Sequence, residues 1–101
     1  MFSFIDLSIS AALTGCSRLC QNKWQNGFTS MYDRTLYAIP LNGDKVLRIF
    51  PNENESLVTV ETIGEAISGT GKWEGCVVAP NGVAYGMPNN YKGILKITPA
   101  A

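Results

Sequence analysis

Short apolar runs separated by turn-forming residues set the pattern of this chain. Gly75-Cys76-Val77-Val78-Ala79 is an apolar stretch of the kind that forms a strand covered on both faces. Pro80-Asn81-Gly82 interrupts it, with Pro suited to the first turn position and Asn-Gly tolerant of positive φ. A second strand over 83–87 then completes a hairpin. A Pro-, Asn- and Gly-containing loop over 88–93 leads to a third strand over 94–98, stopped by Pro99, which has no N–H for a ladder. The same order appears earlier as a strand over 28–31, a turn at Tyr32-Asp33-Arg34, a strand over 35–39, a loop over 40–45 and a strand over 46–50. Residues 57–62, Leu-Val-Thr-Val-Glu-Thr, add a β-branched segment with polar residues interleaved near its end, which predicts an outer strand with one wet face.

The likeness between the two halves is an internal repeat with a period of 48 to 49 residues. Lys23-Trp24 aligns with Lys72-Trp73, Gly27 with Gly75, Tyr37 with Tyr85, Pro40 with Pro88, Asn42 with Asn90, Leu47 with Leu95, Ile49 with Ile97 and Pro51 with Pro99. The Trp pair needs an offset of 49 and everything from Tyr37 onward an offset of 48, so one residue has been gained or lost in a turn between them. Four short antiparallel strands followed by the same text again describe β-propeller blades better than a sandwich or a closed barrel. The expected fold class is therefore all-β, with about two four-stranded antiparallel blades. Residues 1–101 form a single repeat unit: 1–22 an outer strand and connection, 23–71 the first blade repeat, and 72–101 the second, lacking its outer strand. Residues 2–7 read as the last strand of a blade whose other strands lie elsewhere, and each Trp as a ring wedged between neighbouring blades.

From Lys72 to Pro88 the residues Lys-Trp-Glu-Gly-Cys-Val-Val-Ala-Pro-Asn-Gly-Val-Ala-Tyr-Gly-Met-Pro resemble a propeller-type repeat of protist, algal and bacterial proteins. Its recurring text is roughly Lys-Trp-x-Gly-Gly-Val-Leu-Ala-Pro-Asn-Gly-x-Ile-Tyr-x-Ile-Pro. Gly93-Ile94-Leu95-Lys96-Ile97-Thr98-Pro99 is similar to the ending that follows it. Cys76 stands where a second glycine is usual, Thr98 where an aspartate is common, and the first copy replaces the Ala-Pro-Asn-Gly turn with Tyr32-Asp33-Arg34. The resemblance implies a propeller fold and carries no activity or catalytic residue with it. A more distant likeness is to the Trp- and Gly-rich blades of propeller lectins.

Composition narrows the function. A chain of 101 residues has room for one modest core and none for a cleft between domains. Eight basic and eight acidic residues balance, which leaves nothing to attract nucleic acid or an anionic membrane surface. The absence of histidine removes the commonest general base and metal ligand. Cys16, Cys20 and Cys76 match neither a disulfide framework nor a zinc site, and no run approaches the length of a membrane span. Leu13-Thr14-Gly15-Cys16 fits the short consensus that precedes lipid attachment, yet no positive charge precedes the apolar stretch and Asp6 sits inside it; a soluble, cytoplasmic chain is expected. Gly69-Thr70-Gly71-Lys72 lacks the spacing of a phosphate loop, and the acids recur at no matched repeat position, so no enzyme, no metal and no cofactor is expected.

Fewer than two closed blades cannot bury their own faces, because repeats of this kind bury their apolar surface on neighbours. The expected partners are copies of the chain or other protein chains, so that the propeller is completed by oligomerisation or by a larger assembly. The loops at one end supply candidate ligand-binding residues: Trp24 and Asn42 from the first copy, Trp73, Asn89, Asn90 and Tyr91 from the second. Amides beside aromatic rings suit a glycan or a polar peptide, through stacking and hydrogen bonds. The function expected is a non-catalytic interaction or ligand-binding module; the alternatives are a structural subunit or fragment of a larger propeller without a small-molecule site, and a carbohydrate-binding, lectin-like propeller.

Overall fold

The computed structural model describes residues 22–51 and 59–99; the strand expected at 2–7, Cys16 and Cys20 lie outside the described residues. The described chain is all β. Its strands are β1 (Trp24–Thr29), β2 (Leu36–Pro40), β3 (Val46–Phe50), β4 (Thr59–Ile63), β5 (Trp73–Val78), β6 (Ala84–Pro88) and β7 (Leu95–Ile97). They form two antiparallel meanders, a four-stranded sheet in the order β1-β2-β3-β4 and a three-stranded sheet in the order β5-β6-β7. As the interleaved polar residues of 57–62 require, β4 is an edge strand.

Two expectations need correction. The inner strands do not start at Phe28 and Gly75 but at the tryptophans, with Trp24 opposite Pro40 and Trp73 opposite Pro88. Register then slips before pairing resumes at Gly27↔Ala38 and at Cys76↔Gly86. A bulge of this kind uses a residue at positive φ. In β5 it is Gly75, at φ 84°, and in β1 it is Asn26, at φ 61°. So Gly75 corresponds to Asn26, not to Gly27, and the offset of 49 runs through all of β1 and β5. The one-residue difference falls in the following turn: Ser30 N–H bonds Thr35 O across four intervening residues, where Ala79 N–H bonds Val83 O across three.

Directly opposed residues share a face of a sheet, and alternate residues along a strand do too. The rows Phe28–Tyr37–Arg48 and Val46–Ile63 therefore put Tyr37, Ile39 and Val46 on one face of the first sheet. The rows Cys76–Gly86–Leu95 and Ala84–Ile97 define one face of the second. These two faces meet. Tyr37, Ile39 and Val46 pack with Trp73, Ala84 and Ile97 into one core, flanked by half-buried Phe28, Ile63, Cys76 and Leu95. The small side chain of Ala84 and the absence of one at Gly86 leave room for the Trp73 ring, which lies within van der Waals reach of the space above Gly86.

The two turns at the far end also touch. Tyr32 Oη donates to Asn81 O at 2.7 Å, and a side chain at Gly82 would strike the sulfur of Met31. Beside them, Asp33 Oδ1 accepts from the backbone N–H of Thr35 at 3.0 Å and from its hydroxyl at 2.7 Å. Asp33 Oδ2 pairs with Arg48 at 2.7 Å, while the guanidinium lies over the rings of Tyr37 and Phe50. The two bonds from Thr35, helped by the Arg48 charge, hold the Asp33 carboxyl below its ordinary value of 3.8. A carboxyl whose folded value is lowered adds stability above its unfolded value and loses it as pH falls through the folded one. Asp33→Asn is expected to lower the thermal midpoint by a constant margin from neutral pH down to 3.8, the ordinary value, and by a shrinking margin below it; thermal melts of both proteins across that range measure the gap.

Candidate functional site

The candidate residues gather at the end of the sheets where β1 and β5 begin and where β2 turns into β3 and β6 into β7. Each Trp is fixed there by its own sheet. Trp24 Nε1 donates to Lys45 O at 2.9 Å and Trp73 Nε1 to Gly93 O at 2.8 Å, and these two carbonyls are repeat equivalents. The indole thus ties the start of the inner strand to the far side of the loop between the second and third strands. Trp73 is 1% exposed, with Tyr91 tilted against it at 4.7 Å between ring centres, whereas Trp24 is half-buried. A ring so covered has no face to offer a sugar, so the burial of Trp73 gives it to packing between the sheets.

The strongest feature of this end is the seam between the two repeats. Lys72 is fully buried, and its Nζ donates to Gly43 O at 2.8 Å, Gly69 O at 3.0 Å and Leu41 O at 3.3 Å. Burying an amine is costly unless its donors are met, and a curled loop of inward-facing carbonyls meets them. The backbone reinforces the seam: Lys72 N–H bonds Leu41 O, and Ile67 N–H bonds Asp44 O. Asn42 belongs to this seam as well. Its Oδ1 accepts from Gly71 N–H at 2.7 Å, and Gly71 sits at φ 61°, where a side chain would strike the amide of Asn90 and crowd that of Asn89. A lysine in a loop is ordinarily solvated; Lys72 is not, and the signal available in the sequence was its recurrence beside Trp in both copies.

Trp24 and Asn42 are half-buried, as is Tyr91, while Asn89 and Asn90 are exposed and form the most open part of this end. Their backbone repeats what the first copy does, since Asn89 N–H bonds Lys72 O as Leu41 N–H bonds Lys23 O, and Asn90 N–H bonds Gly71 O as Asn42 N–H bonds Asn22 O. A cavity of about 340 Å³ lies elsewhere, between β3-β4 and β7, walled by Val46, Ile63, Ile67, Leu95 and Ile97 with Asp44 and Glu65 on its lining. Sequence reasoning missed it because its walls come from segments far apart in the chain. No cluster of metal-binding side chains occurs among the described residues, and burial pushes the Cys76 thiol up, away from a reactive thiolate. No family model, curated protein or solved structure matches the chain.

The seam makes a sharp distinction between two equivalent asparagines. Asn42→Ala leaves the Gly71 N–H without its acceptor and is expected to cost about 1–3 kcal/mol, whereas Asn90→Ala, at an exposed position, is expected to stay within about 0.5 kcal/mol. Urea unfolding, at protein concentrations where the midpoint no longer depends on concentration, compares the two.

Proposed function

We propose that the chain works as a non-catalytic, β-propeller-type interaction module, as part of an oligomer or a larger protein complex. One observation carries this reading: the second sheet turns Val77, Met87 and Ile94 to solvent as large exposed apolar side chains. An exposed apolar surface of this kind marks an interaction site more often than chance, and repeat architectures bury it on the next unit. The repeat resemblance of the Lys72 to Pro88 text points the same way, toward a unit that needs neighbours.

The ligand-binding version of the reading is narrower than the sequence implied. With Trp73 buried and Asn42 holding Gly71, the candidates left for a glycan or peptide are Trp24, Asn89, Asn90 and Tyr91. That set has two exposed amides and parts of two half-buried rings, which is modest for sugar recognition. The interaction is therefore assigned to protein surfaces first.

Sedimentation of the purified chain and native mass spectrometry of material isolated through a tag test the reading. The expected result is a stoichiometric assembly, of the chain with itself or with other polypeptides. A folded monomer in both measurements, with no stoichiometric protein partner, overturns it.

A further inference from the structure

Resting on that reading, we infer that the partner is a second copy of this chain, docked head to tail so that its first sheet covers the exposed face of the second sheet. The argument comes from comparing equivalent faces. Within the chain, the face of the first sheet that carries Phe28, Tyr37, Ile39 and Val46 is covered by the second sheet. The repeat offset converts those positions into Val77, Tyr85, Met87 and Ile94 of the second sheet. These point away from the core, on the opposite side from Ala84 and Ile97. Exposure separates the two sets sharply: Tyr37, Ile39 and Val46 stand at 3%, 0% and 8%, against 39% for Met87, 63% for Ile94 and 60% for Val77.

The complementary surface is present on the same molecule. In the internal junction the second sheet contributes Cys76, Ala84, Gly86, Leu95 and Ile97. Their equivalents Gly27, Leu36, Ala38, Leu47 and Ile49 share the outer face of the first sheet, on which Gly27 is exposed, Leu36, Ala38 and Ile49 are half-buried and Leu47 is buried. That face has a groove of about 300 Å³ bordered by Gly27, Leu36, Ala38 and Ile49. Ala38 stands where Gly86 does and keeps a small side chain at that point of the face, while Leu36 replaces Ala84.

The loops at the end of the sheets fit the same arrangement. Asn22 stands where Gly71 does, and both have positive φ, 52° and 61°. Asn90 stands where Asn42 does, with the same backbone hydrogen bond beneath it. A second copy placed by the internal junction brings its Asn22 N–H to the Asn90 side chain, as Gly71 N–H meets Asn42. Both surfaces differ from each other and each is complementary to the other, so the contact is heterologous and closes only as a ring. With two repeats per chain and about four to eight blades in a closed propeller, the ring holds about two to four chains.

Three blocking variants test this. Ile94→Glu places a carboxylate on the exposed face of the second sheet, and Ala38→Arg a guanidinium in the groove of the first, with Thr29→Arg, on the same face but exposed, as a variant that spares the fold. Far-UV circular dichroism and the urea midpoint of the dilute protein establish that each is folded. Native mass spectrometry at tens of micromolar is expected to show a discrete oligomer for the unaltered chain and monomer for each variant alone. An equimolar mixture of a first-sheet variant with Ile94→Glu is expected to give a one-to-one dimer and nothing larger. An unaltered chain that stays monomeric overturns the inference, and if it then binds a different protein stoichiometrically the interaction-module reading survives. Self-association of the folded Ala38→Arg or Thr29→Arg variants as strong as that of the unaltered chain also overturns it, because the contact would then be isologous.

Discussion

The insertion of Lys72 into the loop over residues 41–43 is the interaction on which the relation between the two sheets depends. A loop that joins two strands has carbonyls that the ladder does not use, and each buried one needs a donor. A lysine offers three donors from one atom, so a single side chain can gather carbonyls from a loop curled around it. Because Lys72 immediately precedes Trp73, the same dipeptide that satisfies the first sheet's loop also starts the second sheet's inner strand. Satisfying the loop and aligning the sheets are one event, and neither sheet can shift along the other without stranding those carbonyls.

The bulges behind each Trp extend this constraint. A regular strand alternates sides at every residue, so a strand that begins with a ring aimed at the loop between its neighbours would carry that alternation unbroken into the core face. The irregular step between Trp73 and Cys76 resets it, at the cost of a residue held at positive φ. Glycine accepts that conformation freely and asparagine tolerates it better than other residues. This explains why the copies read Trp-Gln-Asn-Gly and Trp-Glu-Gly-Cys. The shared requirement is a backbone angle, which two different letters satisfy.

This is also why some of the structure was legible in the sequence and some was not. Apolar runs, Pro-Asn-Gly and the terminal prolines announced the strands and turns from hydrophobic period and turn chemistry, and β2, β3 and β6 lie within a residue of where those signals put them. Aligning Gly27 with Gly75 followed the letter and missed the angle. The buried lysine was illegible for a different reason. A lysine near loops is usually solvated, and its burial follows from carbonyls supplied 29 to 31 residues earlier, which no local pattern announces. The candidate asparagines were chosen by residue type and loop position, and type alone does not separate a loop amide that recognises a ligand from one that holds a neighbouring N–H. Asn42 is the second kind.

The two repeats are not equal partners, and the inequality follows from position. The first sheet carries Arg48 between Asp33 and Glu61, its side chain 18% exposed and stacked over Tyr37 and Phe50, on the face whose Tyr37, Ile39 and Val46 the second sheet covers. At the equivalent site the second sheet has Lys96, exposed beside Tyr85 on a face that the described residues leave uncovered. A guanidinium is weakly hydrated and stacks on rings, which suits a covered site, while an ammonium keeps its water and reaches out on a flexible stem. The same fold position thus holds the cation that tolerates enclosure where it is enclosed and the one that tolerates solvent where it is open. A partner on that face would meet a lysine that can swing aside, set among apolar side chains with little polar surface to strip of water. Such a face can be covered at low desolvation cost and also survive uncovered, which is what a surface needs if the chain is to fold first and assemble afterwards.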